Sequence, residues 1–205
     1  MHRHGDSGTE VPPLVVFAGR SNVGKSSVIR ALTGKRVPVG KRPGSTRREI
    51  RLEMGPVTLV DIPGFGFMAK RSKRAIEEMK TSVIHTLEEW SDQIVLAVLI
   101  IDAFLFREIV ERWEKRGEIP IDIEFYAFLS EISPEVIVVA NKMDKVRSVD
   151  RANVIEYIRM RLTEAVPNRP LNLVEVSARR KTGIGELKGQ MEAALRKQGI
   201  VEPIW

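Results

Sequence analysis

The chain contains no cysteine. That excludes a disulfide scaffold, a thiolate metal site and a cysteine nucleophile, and it fits a reducing, cytoplasmic setting. Histidine is almost as scarce, with three residues. His2 and His4 lie in a polar stretch interrupted by Gly5, Gly8, Pro12 and Pro13. Two flexible imidazoles do not hold a metal alone, so residues 1–13 read as a frayed tail. His85 falls inside a helical pattern and reads as structural. Long apolar runs are also missing. The longest, Ile94–Ile101, is far short of the roughly 20 residues that span a bilayer. The first residues lack the apolar stretch of a secretory signal. No membrane partner is expected. Repeats and low-complexity tracts are absent as well.

What the chain does have is a globular composition. Of its 205 residues 43% are hydrophobic and 29% charged, enough to bury a core without metal or disulfide staples. Residues 14–205 read as one domain, expected to be monomeric. Lys and Arg number 33 against 27 Asp and Glu, a net charge of +6. An excess this small makes the placement of the positive charge matter more than its sum.

Four short runs are apolar without alternation: Leu14–Ala18, Val57–Val60, Ile94–Ile101 and Val136–Ala140. Leu171–Val176 is a fifth, less pure. Strands of this kind are buried on both faces, as in a parallel sheet between helices. Helical patterns alternate with them, over Lys25–Leu32, Ala75–Trp90, Arg151–Ala165 and Glu186–Arg196. In the second, Ile76, Met79, Val83, Leu87 and Trp90 form one stripe. The alternation predicts a doubly wound α/β fold with a mostly parallel six-stranded sheet. Glu49–Met54 and Val57–Val60 are separated by Gly55-Pro56 alone, too short for a crossover, so this pair should be an antiparallel edge hairpin. The segment 103–133 is expected to hold two helices, Phe104–Arg116 and Asp122–Ile132, broken by Gly117 and Pro120.

The first strand runs into Gly19-Arg20-Ser21-Asn22-Val23-Gly24-Lys25-Ser26. This is a complete P-loop pattern in its proper strand-loop-helix context. Its backbone N–H groups can wrap phosphates, and the helix that follows presents its positive end to them. Lys25 should reach the β- and γ-phosphates, and Ser26 should ligate Mg²⁺. The third strand ends in Asp61-Ile62-Pro63-Gly64. Asp61 is placed to hold Mg²⁺ through water, and Gly64 to offer its N–H to a γ-phosphate. After the strand Val136–Ala140 come Asn141-Lys142-Met143-Asp144. Guanine presents N1–H and N2–H₂ donors on one edge, and the Asp144 carboxylate can accept both. Adenine lacks that donor pair and would leave the carboxylate unpaired, a strong discrimination. Asn141 can bridge base and P-loop, and the Lys142 stem can lie along the base. Ser177-Ala178 end the last strand, where the Ala178 N–H could meet guanine O6. All four segments sit at carboxyl ends of predicted strands, where doubly wound sheets bind ligands. Gly34–Arg51 has no apolar periodicity and reads as a switch loop. In it Thr46 is the candidate to close on Mg²⁺ and γ-phosphate, with Thr33, Ser45 and Thr58 as competitors.

Residues 19–27 (Gly-Arg-Ser-Asn-Val-Gly-Lys-Ser-Ser), 43–46 (Pro-Gly-Ser-Thr), 61–67 (Asp-Ile-Pro-Gly-Phe-Gly-Phe), 141–144 and 177–178 together resemble the EngB (YihA) GTPases of the Era/TrmE-like branch. The resemblance spans roughly residues 14–197. It implies a Ras-like P-loop fold, binding of GTP, GDP and Mg²⁺, and slow hydrolysis. It also implies a part in large ribosomal subunit assembly, often described as cell division or septation. It adds Ser27, Gly44 and Ser45 to the nucleotide-binding residues. The long segment 103–133 resembles archaeal members. In that branch an Asn at the position of Asn22 resembles a potassium ligand, so K⁺ is a second candidate cofactor. The competing reading of Asn22 is a residue that simply bonds the loop backbone. Intrinsic hydrolysis should be slow, because Phe65 stands where many Ras-like GTPases carry a water-orienting Gln. Two other functional readings stay open: a GTP-gated binding module with negligible hydrolysis, and another GTPase of the same branch.

Three basic groups follow these motifs: Lys35, Arg36, Lys41, Arg42, Arg47, Arg48 and Arg51; Lys70, Arg71, Lys73 and Arg74; Arg179, Arg180 and Lys181. Together they predict an rRNA-facing surface around the nucleotide mouth; the competing reading is a solvated basic rim that offsets the nucleotide's own negative charge.

Overall fold

The computed structural model describes residues 12–35, 49–64, 73–202 and 204–205. Six strands form one sheet: β1 (Leu14–Ala18), β2 (Ile50–Met54), β3 (Val57–Asp61), β4 (Ile94–Asp102), β5 (Val136–Asn141) and β6 (Asn172–Glu175). Their spatial order is β2-β3-β1-β4-β5-β6. All neighbouring pairs are parallel except β2 with β3, which pair antiparallel from Ile50↔Asp61 to Met54↔Val57. The hairpin expected from the short Gly55-Pro56 link is therefore present. The chemical reason for the continuous apolar runs is also plain. β1, β3 and β5 are buried at every position, whereas edge strand β2 alternates half-buried with exposed residues until Met54.

Helices α1 (Lys25–Thr33) and α6 (Ile184–Lys197) cover one face of the sheet. They bury Val28, Ile29, Leu187 and Met191 against Val15, Phe17, Val98 and Val139. The other face carries α2 (Lys73–Glu89), α3 (Phe106–Glu114), α4 (Ile121–Ile132) and α5 (Arg151–Ala165). There Leu87, Val110, Leu129, Ile158 and Leu162 meet Val16, Leu99, Ile101 and Val138. Successive strand residues thus feed opposite cores, and each fully buried Leu, Ile, Val or Phe contributes about 1.5–3 kcal/mol of apolar burial.

Element ends differ slightly from the sequence reading. β4 and β5 each extend one residue further, to Asp102 and Asn141, because the polar residue at the strand end still joins the ladder at Asp102↔Asn141. In 103–133, α3 begins at Phe106 rather than Phe104, because Asp102 Oδ1 accepts the N–H groups of Phe104 (3.2 Å) and Leu105 (3.3 Å) in a turn. His85 is exposed on α2, its Nδ1 3.4 Å from Glu88 Oε2. Its partner lies three residues on in the same helix. No helix among the described residues is long and apolar enough to cross a membrane.

Candidate nucleotide-binding site

The carboxyl ends of β1, β3, β4 and β5 open on the same side of the sheet. β1 hands over to the loop 19–24, and α1 begins at Lys25. Gly24 precedes it at φ 96°, with no side chain capping the helix and no acidic residue in its first turn. The first amide groups of α1 therefore point at a position that suits an anion. A Cβ on Gly24 would lie 2.4 Å from Asn141 Nδ2, so only glycine fits there. Gly19 is equally confined, since a Cβ there would lie 2.4 Å from the Ile100 carbonyl oxygen. Asn22 is left-handed at φ 69°, a conformation Asn tolerates better than most residues.

Lys25 and Ser26 both converge on Asp61. The Lys25 ammonium donates to Asp61 Oδ1, and Ser26 Oγ donates to Asp61 Oδ2 at 3.1 Å. Lys25 and Asp61 are 6% and 1% exposed, which makes this a buried ion pair. Ser26 and Asp61 offer hard oxygen donors side by side, the donor type that Mg²⁺ takes together with phosphate oxygens and water. The two residues fit that ion. Among the described residues no cluster of three or more His, Cys, Asp or Glu could hold a metal by itself. Ser21 Oγ donates to the Gly64 carbonyl at 3.2 Å and ties the P-loop to the end of the Asp61 segment.

The second half of the site grows from β5. Asn141 Nδ2 donates to the Val23 carbonyl at 2.8 Å, the P-loop bridge expected of it. Its Oδ1 accepts the Ala178 N–H at 3.1 Å, so that amide bonds a side chain here. Lys142 is left-handed at φ 68°. Its Nζ donates to the Asn22 carbonyl at 2.5 Å and to Asp102 Oδ2 at 2.6 Å. Ser177 Oγ accepts the Arg180 N–H at 3.1 Å, which leaves its proton for Asp144 Oδ1 at 2.6 Å. That hydrogen bond, assisted by Arg179 and Arg180, holds the Asp144 carboxyl below the ordinary carboxylate range despite partial burial. Gly24, Ser27, Asn141, Lys142, Asp144 and Ala178 line one cavity of about 620 Å³.

The site residues from Gly19 to Ser27, with Asp61, Gly64, Asn141, Lys142, Asp144, Ser177 and Ala178, are therefore brought to one end of the sheet. Gly44, Ser45, Thr46 and Phe65 lie outside the described residues, as do Arg36, Lys41, Arg42, Arg47, Arg48, Lys70 and Arg71. Of the other basic residues, Lys35 donates to the Glu53 carbonyl at 2.9 Å. Arg51 lies 4.6 Å over the Trp90 ring, and Arg74 pairs with Glu78 at 2.8 Å. Several contacts escaped the sequence reading. Asp102, which anchors Lys142, could have been suspected as an acid ending a buried strand, like Asp61. Nothing local in the sequence points to the pair of Arg20 with Asp122.

A doubly wound sheet with a P-loop, an acidic strand end and an Asn-Lys-x-Asp turn around one cavity defines a P-loop GTPase. Residues 14–142 match the family described as 50S ribosome-binding GTPase. A protein of Pyrococcus abyssi named "Probable GTP-binding protein EngB" is 42% identical over 193 residues, 93% of this chain and 90% of its own. Its namesake in Methanopyrus kandleri is 42% identical over 195 residues, covering 93% and 96%. A crystal structure of an EngB protein superposes with a TM-score of 0.78 at 41% identity, covering 90% of this chain and 99% of the other. The chain belongs to the EngB family of GTP-binding proteins, and it is a GTPase.

Proposed function

We propose that this GTPase is a GTP/GDP switch, dependent on Mg²⁺ and slow on its own, that acts in assembly of the large ribosomal subunit. The observation that carries the nucleotide part is the pairing of two half-sites. Lys25, Ser26 and Asp61 form one, Asn141, Asp144 and Ser177 the other, and the Asn141–Val23 hydrogen bond joins them. In this reading residues 14–205 work as one G domain and as a monomer, in the cytoplasm, with residues 1–13 as a tail. The Gly19–Ser27 backbone wraps the phosphates. Lys25 leaves Asp61 for the β- and γ-phosphates. Ser26, Asp61 and Thr46 hold the metal ion, with Gly44 and Ser45 beside Thr46. A Mg²⁺ ion held there would supply charge neutralisation for the phosphate oxygens. The Gly64 amide faces the γ-phosphate. Asp144 accepts the guanine N1–H and N2–H₂, Lys142 lies along the base, and Ser177 and Ala178 close its edge. Asn22 supports K⁺ or only the loop backbone.

The ribosomal part is supported by the matching family's description and by the exposed basic residues at the nucleotide mouth, Arg179 above all, at 85% exposure. A role in cell division would follow indirectly from ribosome supply. Two measurements on the purified protein test the reading: phosphate release from GTP against ATP with and without Mg²⁺, and co-sedimentation with each ribosomal subunit in GTP and GDP. GTP-specific, Mg²⁺-dependent release with nucleotide-dependent binding to the large subunit is the expected result. Nucleotide binding without release would favour a gated binding module. Release without subunit binding would remove the ribosomal role.

A further inference from the structure

A second cavity, of about 520 Å³, lies between α3 and the start of α5, outside the residues assigned to nucleotide. Ala103, Phe106, Val146 and Ile158 make its floor, and Phe104, Arg107, Lys145, Arg147 and Tyr157 stand around it. Phe104 is 52% exposed. The Asp102 carboxylate holds its backbone in the turn before α3, so the ring stays outside while Phe106 fills the core. Arg107 stacks 4.0 Å from the Tyr157 ring centre, and Lys145 lies 5.9 Å from that of Phe104. The rim carries three cations and one carboxylate, Asp150, which Arg147 already binds at 2.6 Å. Among the described residues Arg107 and Lys145 form no ion pair with a carboxylate. The cavity thus combines an apolar floor, two rings each backed by a cation, and uncompensated positive charge. An aliphatic partner helix would use the floor and leave the cations without counter-charge. A base with flanking phosphates uses all three.

We infer that this groove binds an unpaired base of single-stranded RNA, stacked between Phe104 and the Arg107–Tyr157 pair, with the adjoining phosphates on Arg107 and Lys145. The choice of RNA rests on the ribosomal reading above; the groove's chemistry does not. Lys145 also lines the cavity of the Asp144 site. Asp102 joins Lys142 to the Phe104 turn. The groove therefore shares a wall with the guanine-reading turn, and bound nucleotide should alter its affinity for RNA.

The test uses the full chain and a fluorescent oligouridine of about ten nucleotides, read by anisotropy, with Phe104→Ala and Arg107→Glu as variants. Unchanged GDP affinity and melting temperature show that each variant is folded. The parent should bind with an affinity that falls steeply with salt. Phe104→Ala should weaken binding about five-fold or more, and Arg107→Glu about ten-fold or more. Ultraviolet crosslinking of the parent should place uridine on the peptide containing Phe104 or Tyr157. Equal binding by parent and variants, or crosslinks confined to the basic residues at the nucleotide mouth, would overturn the inference. So would firm binding of an acidic, aromatic peptide that both variants lose while their RNA binding stays unchanged, which would make the groove a protein-docking site. Ribosomal sedimentation separates the two readings. Large-subunit binding that persists in both variants, with no groove crosslink, overturns the groove alone. Groove-dependent oligouridine binding by a parent that ignores both subunits supports the groove and removes the ribosomal role.

Discussion

Arg20 Nε donates to Asp122 Oδ2 across 2.8 Å, although the two residues stand 102 positions apart. The pair fastens the P-loop to the first turn of α4. Two residues on, Glu124 receives Lys80 of α2 at 2.7 Å, so one helical turn grips both the P-loop and α2. Asp122 is 1% exposed and its Oδ1 has no hydrogen-bond partner. Burial pushes its carboxyl above the ordinary range, more strongly than Arg20 pulls it down. The pair fixes geometry and adds little net stability.

Removing one partner should therefore hurt more than removing both. Arg20→Ala should cost about 3 kcal/mol, on the order of 10 °C in melting temperature, by leaving a buried carboxylate unpaired. Arg20→Met combined with Asp122→Leu should recover most of that loss. Because the folded-state value of Asp122 is raised, its contribution is fully present below the unfolded value and lost as pH rises through the folded one. The stability of the parent relative to Asp122→Asn should therefore fall between acid and neutral pH. Denaturant titrations across that range check it, and a difference that rises with pH refutes it.

Asp144→Asn should weaken GDP and GTP alike by roughly 10²-fold or more, since two donors lose a charged acceptor. The variant should prefer xanthine nucleotides, whose C2 oxygen suits an amide donor. Calorimetry with GDP and XDP measures both, and unchanged GDP affinity removes the base-reading assignment.

Ser177→Ala should act through Asp144. Without the hydroxyl the carboxylate loses the bond that aims it and rises toward its ordinary value. Guanine nucleotide affinity should drop about ten-fold, with the GTP/GDP ratio unchanged. A change in the ratio would mean that Ser177 senses the phosphates.

Gly24→Ala would bring a methyl group to 2.4 Å from Asn141 Nδ2 in a backbone region that Ala avoids. The Asn141–Val23 bridge should break, costing about 2 kcal/mol and abolishing measurable nucleotide binding. Gly34→Ala is the control: its φ is 68°, but a Cβ there meets nothing within 4 Å. It should keep nucleotide affinity at a smaller stability cost.

Turnover in potassium against sodium, for the parent and Asn22→Ala, separates the two readings of Asn22. Potassium-dependent turnover lost in the variant supports a cation ligand. A parent rate indifferent to the cation leaves Asn22 as a left-handed loop residue whose carbonyl anchors Lys142.

The sheet was legible because five of its six strands are uninterrupted apolar runs or nearly so, and the hairpin because two residues cannot make a crossover. The two half-sites were legible because their chemistry is local: Gly19–Ser26 and Asn141–Asp144 each declare themselves within eight residues. What could not be read was contact between distant segments. Nothing near Arg20 in sequence names Asp122. The hydroxyl of Ser177 looked no different from any other until the fold set it against Asp144. Ser177 and Ala178 were expected to end the last strand, but β6 stops at Glu175, and the Ala178 amide donates to the Asn141 side chain.

The links from Asn141 to Val23 and from Lys142 to Asn22 weld the turn proposed to read the purine to the loop proposed to cradle the phosphates. A nucleotide cannot loosen one grip by swinging that turn away while the other holds. Both grips of the proposed nucleotide site should therefore loosen together rather than in turn.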